Sequence, residues 1–193
     1  VMDMFREPKF AAHVYATQGD RSLGPIVEPV TFWTRGDRNI GGIMPLIVLT
    51  NCDEVELRYG SHPPKRIGPD RERFPHLPHP PVIIDHRSFT ADELGLWGSS
   101  WEDCEIVGYI DGEAVATRRF AAAPVVSKLE LVTDRERIGV HEDMRFMIRA
   151  LDQNGQKLPY LFDSLDITVS GPAILHGPDR VPLRAGSIGG WIR

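Results

Sequence analysis

Leu46-Ile47-Val48-Leu49-Thr50-Asn51-Cys52-Asp53-Glu54-Val55-Glu56-Leu57-Arg58-Tyr59 is the stretch whose reading decides the fold. Leu46–Thr50 is a short apolar run of the kind a buried strand needs. From Val55 to Tyr59 the pattern alternates, with Val55, Leu57 and Tyr59 on one face and Glu56 and Arg58 on the other. Asn51-Cys52-Asp53 between them supplies turn residues, so the stretch predicts a β-hairpin with one apolar face.

The same rhythm continues outward. Val30–Thr34 and Val82-Ile83-Ile84 are further strand candidates, and Glu105–Ile110 and Ala114–Phe120 flank Asp111-Gly112, a second hairpin signal. Gly60–Pro81 interrupts the pattern with Pro63, Pro64, Pro69, Pro75, Pro78, Pro80 and Pro81. Such a run lacks N–H donors and predicts a long surface loop, partly in polyproline form. His86–Ser100 is a second irregular stretch. After Ala121-Ala122-Ala123-Pro124 the strand rhythm restarts. Lys128–Thr133, Met144–Leu151, Ser164–Ser170, Ala173–His176, Val181–Arg184 and Ile188–Arg193 are its candidates. Strands at this spacing, twice over, predict an all-β chain of tandem immunoglobulin-like antiparallel β-sandwiches. The expected division is 1–25, 26–123 and 124–193, with the last sandwich short of one strand.

Pro8–Gln18 is the one helix predicted. Pro8 suits its start and Gly19 its stop, and Phe10, Ala11, Val14 and Tyr15 form an apolar stripe. About eleven residues do not hold a helix alone, so the stripe needs a partner. The apolar start Val1-Met2-Asp3-Met4-Phe5 reads as a cut from a longer chain, as does the strand-like end at Trp191-Ile192-Arg193.

Composition narrows the function. Eighteen glycines and 16 prolines in 193 residues argue against a helix bundle. A net charge of −5 leaves no basic excess for nucleic acid. No apolar run reaches the roughly 18 residues a membrane helix needs, and no signal peptide is visible, so a cytoplasmic location is expected. Cys52 and Cys104 are too few for a disulfide framework and have two readings, a single bridge or two buried thiols.

Few side chains suggest chemistry. His76 and His79 could offer two metal ligands, but no local cysteine completes a zinc set, so no metal site is expected. No serine-hydrolase, phosphate-loop or zinc-protease motif is present, and Gly186-Ser187-Ile188-Gly189-Gly190 precedes no helix and reads as a turn. No catalytic residue and no cofactor are assigned. Trp97 and Trp101, four apart, and Trp33 could stack on sugar rings; packing against a sandwich edge is the favoured reading of the first two.

Asp3-Met4-Phe5-Arg6-Glu7-Pro8-Lys9-Phe10-Ala11-Ala12 resembles the end of the catalytic barrel in glycoside hydrolase family 2, the β-galactosidase and β-glucuronidase family. Leu49–Leu57 is similar to the hairpin of the sandwich that follows that barrel. Phe74–Pro81, Gly108–Gly112 and Val115–Thr117 look like later parts of the same module. Asp152–Gly155, Gly171–Ala173 and Pro182–Gly186, running to Arg193, resemble a further immunoglobulin-like module. Arg58-Tyr59-Gly60-Ser61 departs from the family's usual turn at that edge.

The resemblance implies that the catalytic glutamates lie on barrel strands that this chain does not contain. Asp3 and Arg6 match the barrel-end motif and are expected to be structural. The chain is thus expected to be a non-catalytic, structural C-terminal region of a β-galactosidase-like enzyme. Its expected partners are the missing catalytic barrel, a glycan, or a second copy of itself. The alternatives are a carbohydrate-binding module using Trp97, Trp101 and Trp33, and a stand-alone enzyme with an unrecognised site.

Overall fold

A computed structural model describes residues 1–3, 5–33, 45–88 and 102–193. The chain is all-β, with immunoglobulin-like antiparallel sandwiches following one another in sequence after one short helix. It divides into two compact units, one of 1–3 and 7–123 and one of 4–6 and 124–193.

In the first unit, Val27–Pro29 (β1), Leu46–Thr50 (β2) and Val82–Ile84 (β5) form a three-stranded sheet in the order β1-β2-β5. Lys65–Ile67 (β4), Glu54–Tyr59 (β3), Cys104–Ile110 (β6) and Glu113–Phe120 (β7) form a four-stranded sheet in the order β4-β3-β6-β7. Strand alternation turns Leu46, Val48, Val82 and Ile84 of one sheet and Val55, Leu57, Tyr59 and Ile106 of the other into one core, completed by Trp33 and Phe120. The β6–β7 hairpin closes on Asp111 and Gly112, whose φ values of 51° and 84° are those of a type I′ turn.

The hairpin predicted across residues 46–59 is not formed. β2 pairs with β1 and β5, while β3 pairs with β4 and β6, so Asn51–Asp53 is a corner carrying the chain from one sheet to the other. The corner is fastened from inside. The fully buried Asn51 amide accepts from Ile26 N at 2.7 Å and donates to Gly24 O at 2.9 Å, and Thr50 Oγ1 donates to Ile26 O at 2.7 Å. Side-chain bonds to the segment before β1 thus replace the ladder bonds a hairpin would have made.

Three further expectations shift. The first strand lies at 27–29 rather than 30–34; of that candidate, residue 34 is outside the described residues. Lys65–Ile67 forms a short edge strand inside the proline-rich segment, where only one side must donate to a ladder. The helix, Phe10–Ala16 (α1), is shorter than predicted and buries none of its residues; Phe10 packs on Phe32 at 4.9 Å, but Val14 and Tyr15 stay exposed.

In the second unit, Lys128–Thr133 (β8), Met144–Leu151 (β9), Leu175–His176 (β11) and Ser187–Ile192 (β13) form a sheet in the order β11-β13-β9-β8. Ser164–Asp166 (β10) pairs with Arg180–Pro182 (β12). The core is small, built on Ala150, Leu183 and Ile188 with Ile148, Leu161, Leu165 and Val181. Leu129 and Leu131 of β8, which share a face as the alternation predicts, remain more than half exposed. Among the described residues no helix is long and apolar enough to cross a membrane.

Candidate functional site

The proline-rich segment folds over the sheet rather than lying free. Ile47, Leu49 and Ile83 point away from the core, as alternation requires, and meet Phe74, Leu77 and Pro81. With Val14, Thr17, Gln18 and His79 they line a cleft of about 230 Å³. Gln18 clamps the loop through both ends of its amide. Its Nε2 donates to His79 O at 2.7 Å and its Oε1 accepts from His79 N at 3.1 Å. Burial, reinforced by Arg21 and Arg71 and opposed by Asp53, pushes the His79 imidazole pKa down, so the ring is neutral at pH 7. The cleft wall is hydrocarbon, suited to apolar surface rather than to proton transfer.

Beside the cleft, two carboxylates and two guanidiniums interlock. Arg73 reaches Asp70 at 2.9 Å and Asp85 at 3.2 Å; Arg87 reaches Asp85 at 3.0 Å and Asp70 at 3.6 Å. Asp70 and Asp85 also cap the backbone of Arg73 and Arg87. The quartet ties the loop back to the end of β5. Its signal in the sequence is only Asp-x-x-Arg at 70–73 and Asp-x-Arg at 85–87, which sequence reasoning passed over because such spacings are common.

Glycoside hydrolysis needs one carboxyl group that keeps its proton near neutral pH. Among the described residues, every carboxyl with a displaced pKa is displaced downward. The Asp111 N–H at 2.9 Å, then Arg21, lower Asp53. Arg66 and Arg58 lower Glu56; Arg145 lowers Asp134; Arg193 lowers Asp143; the Ser22 N–H lowers Asp20. These groups anchor turns and sheet faces. Arg66, for instance, bonds Glu56 at 2.9 Å while its guanidinium lies 3.7 Å from the Tyr109 ring centre.

An acid dependence follows. A carboxyl whose pKa is depressed on folding contributes stability above its unfolded value, and that contribution is lost as pH falls through the folded value. The melting temperature should therefore fall slightly between pH 7 and 5, where the unfolded state takes up the proton that partly buried His79 resists, and drop more steeply below about pH 4, the unfolded aspartate range. Asp53→Asn should lower the neutral-pH melting temperature and flatten the acid limb. A circular dichroism melt series in which the variant and the parent fall in parallel at low pH counts against the assignment.

The sugar-stacking candidates fare differently. Trp33 is a correction: it is 1% exposed, its ring between Tyr59 and Phe120 and its Nε1–H donating to Glu102 O at 3.2 Å, so it has no face to offer a sugar. Trp97 and Trp101 lie outside the described residues. Cys52 and Cys104 are separate buried thiols, and burial pushes both pKa values up, which favours the protonated thiol over the thiolate. Among the described residues no three His, Cys, Asp or Glu side chains converge as metal ligands would.

No family model matches the chain. Individual proteins do. It is 57% identical over 182 residues to a β-galactosidase of Rhizobium meliloti, a match covering 93% of this chain and 24% of that one. It is 42% identical to a β-galactosidase of Thermoanaerobacterium thermosulfurigenes over 97% of this chain and 26% of that one. A shorter β-galactosidase of Rhizobium radiobacter is 35% identical over 52% of this chain and 75% of its own length. The chain thus spans about a quarter of the first two curated relatives. Among solved structures it superposes on a β-glycosidase from Bacteroides vulgatus with a TM-score of 0.70 at 20% identity, over 100% of this chain and 24% of that one. A glycosyl hydrolase family 2 member from Bacteroides cellulosilyticus gives 0.65 at 15% identity, over 100% and 28%. At those identities the superpositions establish the fold.

Proposed function

The chain belongs to the β-galactosidases of glycoside hydrolase family 2, and on that premise we propose that it is a structural, non-catalytic C-terminal region of such an enzyme. Its partner is the catalytic barrel, which carries the hydrolytic carboxylates. The observation that carries this reading is the match at 57% identity that takes in 93% of this chain yet only 24% of the relative. The ion-paired carboxylates Glu56, Asp134 and Asp143 support it, because a retaining site needs two acids about 5–5.5 Å apart with one still protonated. The exposed Tyr15 of α1 supports the barrel as partner, since the short helix rests on the first unit only through Phe10 and the cleft-lining Val14 and leaves Tyr15 70% exposed.

The test is direct. The purified 193-residue chain should release no nitrophenol from nitrophenyl β-galactoside above a protein-free blank. Turnover that survives two orthogonal purification steps and scales with the chain's concentration would overturn the reading.

A further inference from the structure

A fourth tryptophan, Trp191, belongs to the second unit. It lies on β13, opposite His176 on β11 and opposite Arg145 on β9. Directly opposed residues in an antiparallel sheet share a face, so His176, Trp191 and Arg145 make one row across three strands. Arg193 and Asp143 lie just past the ends of β13 and β9 and join this row through their ion pair and through His176, whose Nε2 approaches the Asp143 carboxylate. Trp191 is 40% exposed, and the Phe5 ring lies 6.2 Å from its ring at 42°.

The groups around the indole are planar and paired. Arg145 grips Asp134 through Nη2 at 2.6 Å and Nε at 3.0 Å. Arg193 grips Asp143 through Nε at 2.8 Å and Nη2 at 3.1 Å, and His176 Nε2 lies 3.6 Å from the same carboxylate. These side chains are held in fixed forks, so little rotamer freedom remains to be lost on binding.

We propose that the Trp191 face of the second unit is a binding site for a neutral pyranoside, the indole stacking on the sugar's C–H face and the flanking Arg–Asp pairs meeting its hydroxyls. The chemistry selects this ligand class. An anion would meet Asp134 and Asp143, and Arg145 and Arg193 already have their carboxylates. A cation would meet Arg145 and Arg193. An apolar protein segment would bury four charges with no return. A ring that is apolar on one side and carries both donors and acceptors at its rim suits all of these groups together. The site rests on the family reading only for the choice of β-galactosides as first probes.

The test uses the 193-residue chain, whose four tryptophans give four indole N–H signals in a nitrogen–proton correlation spectrum. Titration with methyl β-galactoside and β-1,4-galactobiose should shift the Trp191 signal saturably, with millimolar affinity. Trp191→Ala should weaken binding at least about tenfold, as loss of an aromatic anchor does. Arg193→Ala, which leaves the indole in place, should weaken it by a smaller factor; Trp191→Phe should retain part of it. Free glucuronate should bind no better than the neutral sugar. A Trp191 signal that does not move with either galactoside overturns the proposal. So does binding that persists in Trp191→Ala and disappears in a Trp97→Ala, Trp101→Ala double variant. Hydrolysis by the chain would sink the structural-region reading alone, and an unmoved Trp191 signal would sink this site alone.

Discussion

Trp33→Ala is expected to destabilise the first unit by about 3–5 kcal/mol, the range for emptying a large aromatic from a packed core. The side chain is 1% exposed and sits 5.8 Å from the Tyr59 ring and 5.9 Å from the Phe120 ring. Its loss opens a cavity between the two sheets and removes the N–H that Glu102 O accepts at 3.2 Å. Trp33 also has a positive φ of 51°, an unfavourable backbone state for any residue with a Cβ. Alanine bears nearly the same backbone cost, so the measured difference reports the side chain. With domain stabilities of about 5–15 kcal/mol, a loss of this size takes a large share of the total. Urea unfolding should show the first transition moving down by at least about 1 M. A change below about 1 kcal/mol would mean that Trp33 is not a core residue.

Gly186→Ala should have the largest effect in the second unit. The glycine has a φ of +78°, and a Cβ built on it would lie 2.2 Å from Leu158 O and 2.8 Å from Leu158 C. The obstruction is backbone that cannot swing aside. Leu158 N bonds to Ala150 O at 3.1 Å, Ala150 N bonds to Gly186 O at 2.8 Å, and Gly186 N bonds to Leu161 O at 3.1 Å. Making room for one methyl group must therefore move three segments at once, and Leu158, which it would strike, is itself 1% exposed. Overpacking plus left-handed backbone strain puts the loss at about 3 kcal/mol or more. A domain near this size moves by about 4–8 °C per kcal/mol, so its melting temperature should fall by at least about 12 °C. The first unit should keep its own melt and its dispersed amide signals. If the second unit melts within about 2 °C of the parent, the close approach at Gly186 is wrong.

Strand alternation was legible without coordinates because it is a local property. Side chains at i and i+2 share a face whatever the strand pairs with. Val55, Leu57 and Tyr59 are all buried as their spacing requires, Asp111-Gly112 closes its hairpin, and β8 and β9 lie where the second rhythm places them. The likeness to family 2 glycoside hydrolases was legible for a similar reason, since it rests on short contiguous motifs.

Pairing was not legible. A corner and a hairpin both need turn residues at 51–53 and both turn the same side chains inward. What separates them is the bonding of Thr50 and Asn51 to Gly24 and Ile26, some 25 residues earlier. The loop's grip on the sheet was hidden likewise, because Gln18 and His79 meet across 61 positions. Trp33, a stacking candidate by sequence, is enclosed, while Trp191, read only as part of a strand-like end, stands in a row with His176 and Arg145. The residue order determined which segments are strands, which of their faces are apolar, and which family the chain resembles. The tertiary structure alone decided which strands are neighbours, which loop covers which sheet, and which indole is open to solvent, because those depend on contacts between residues far apart in the chain.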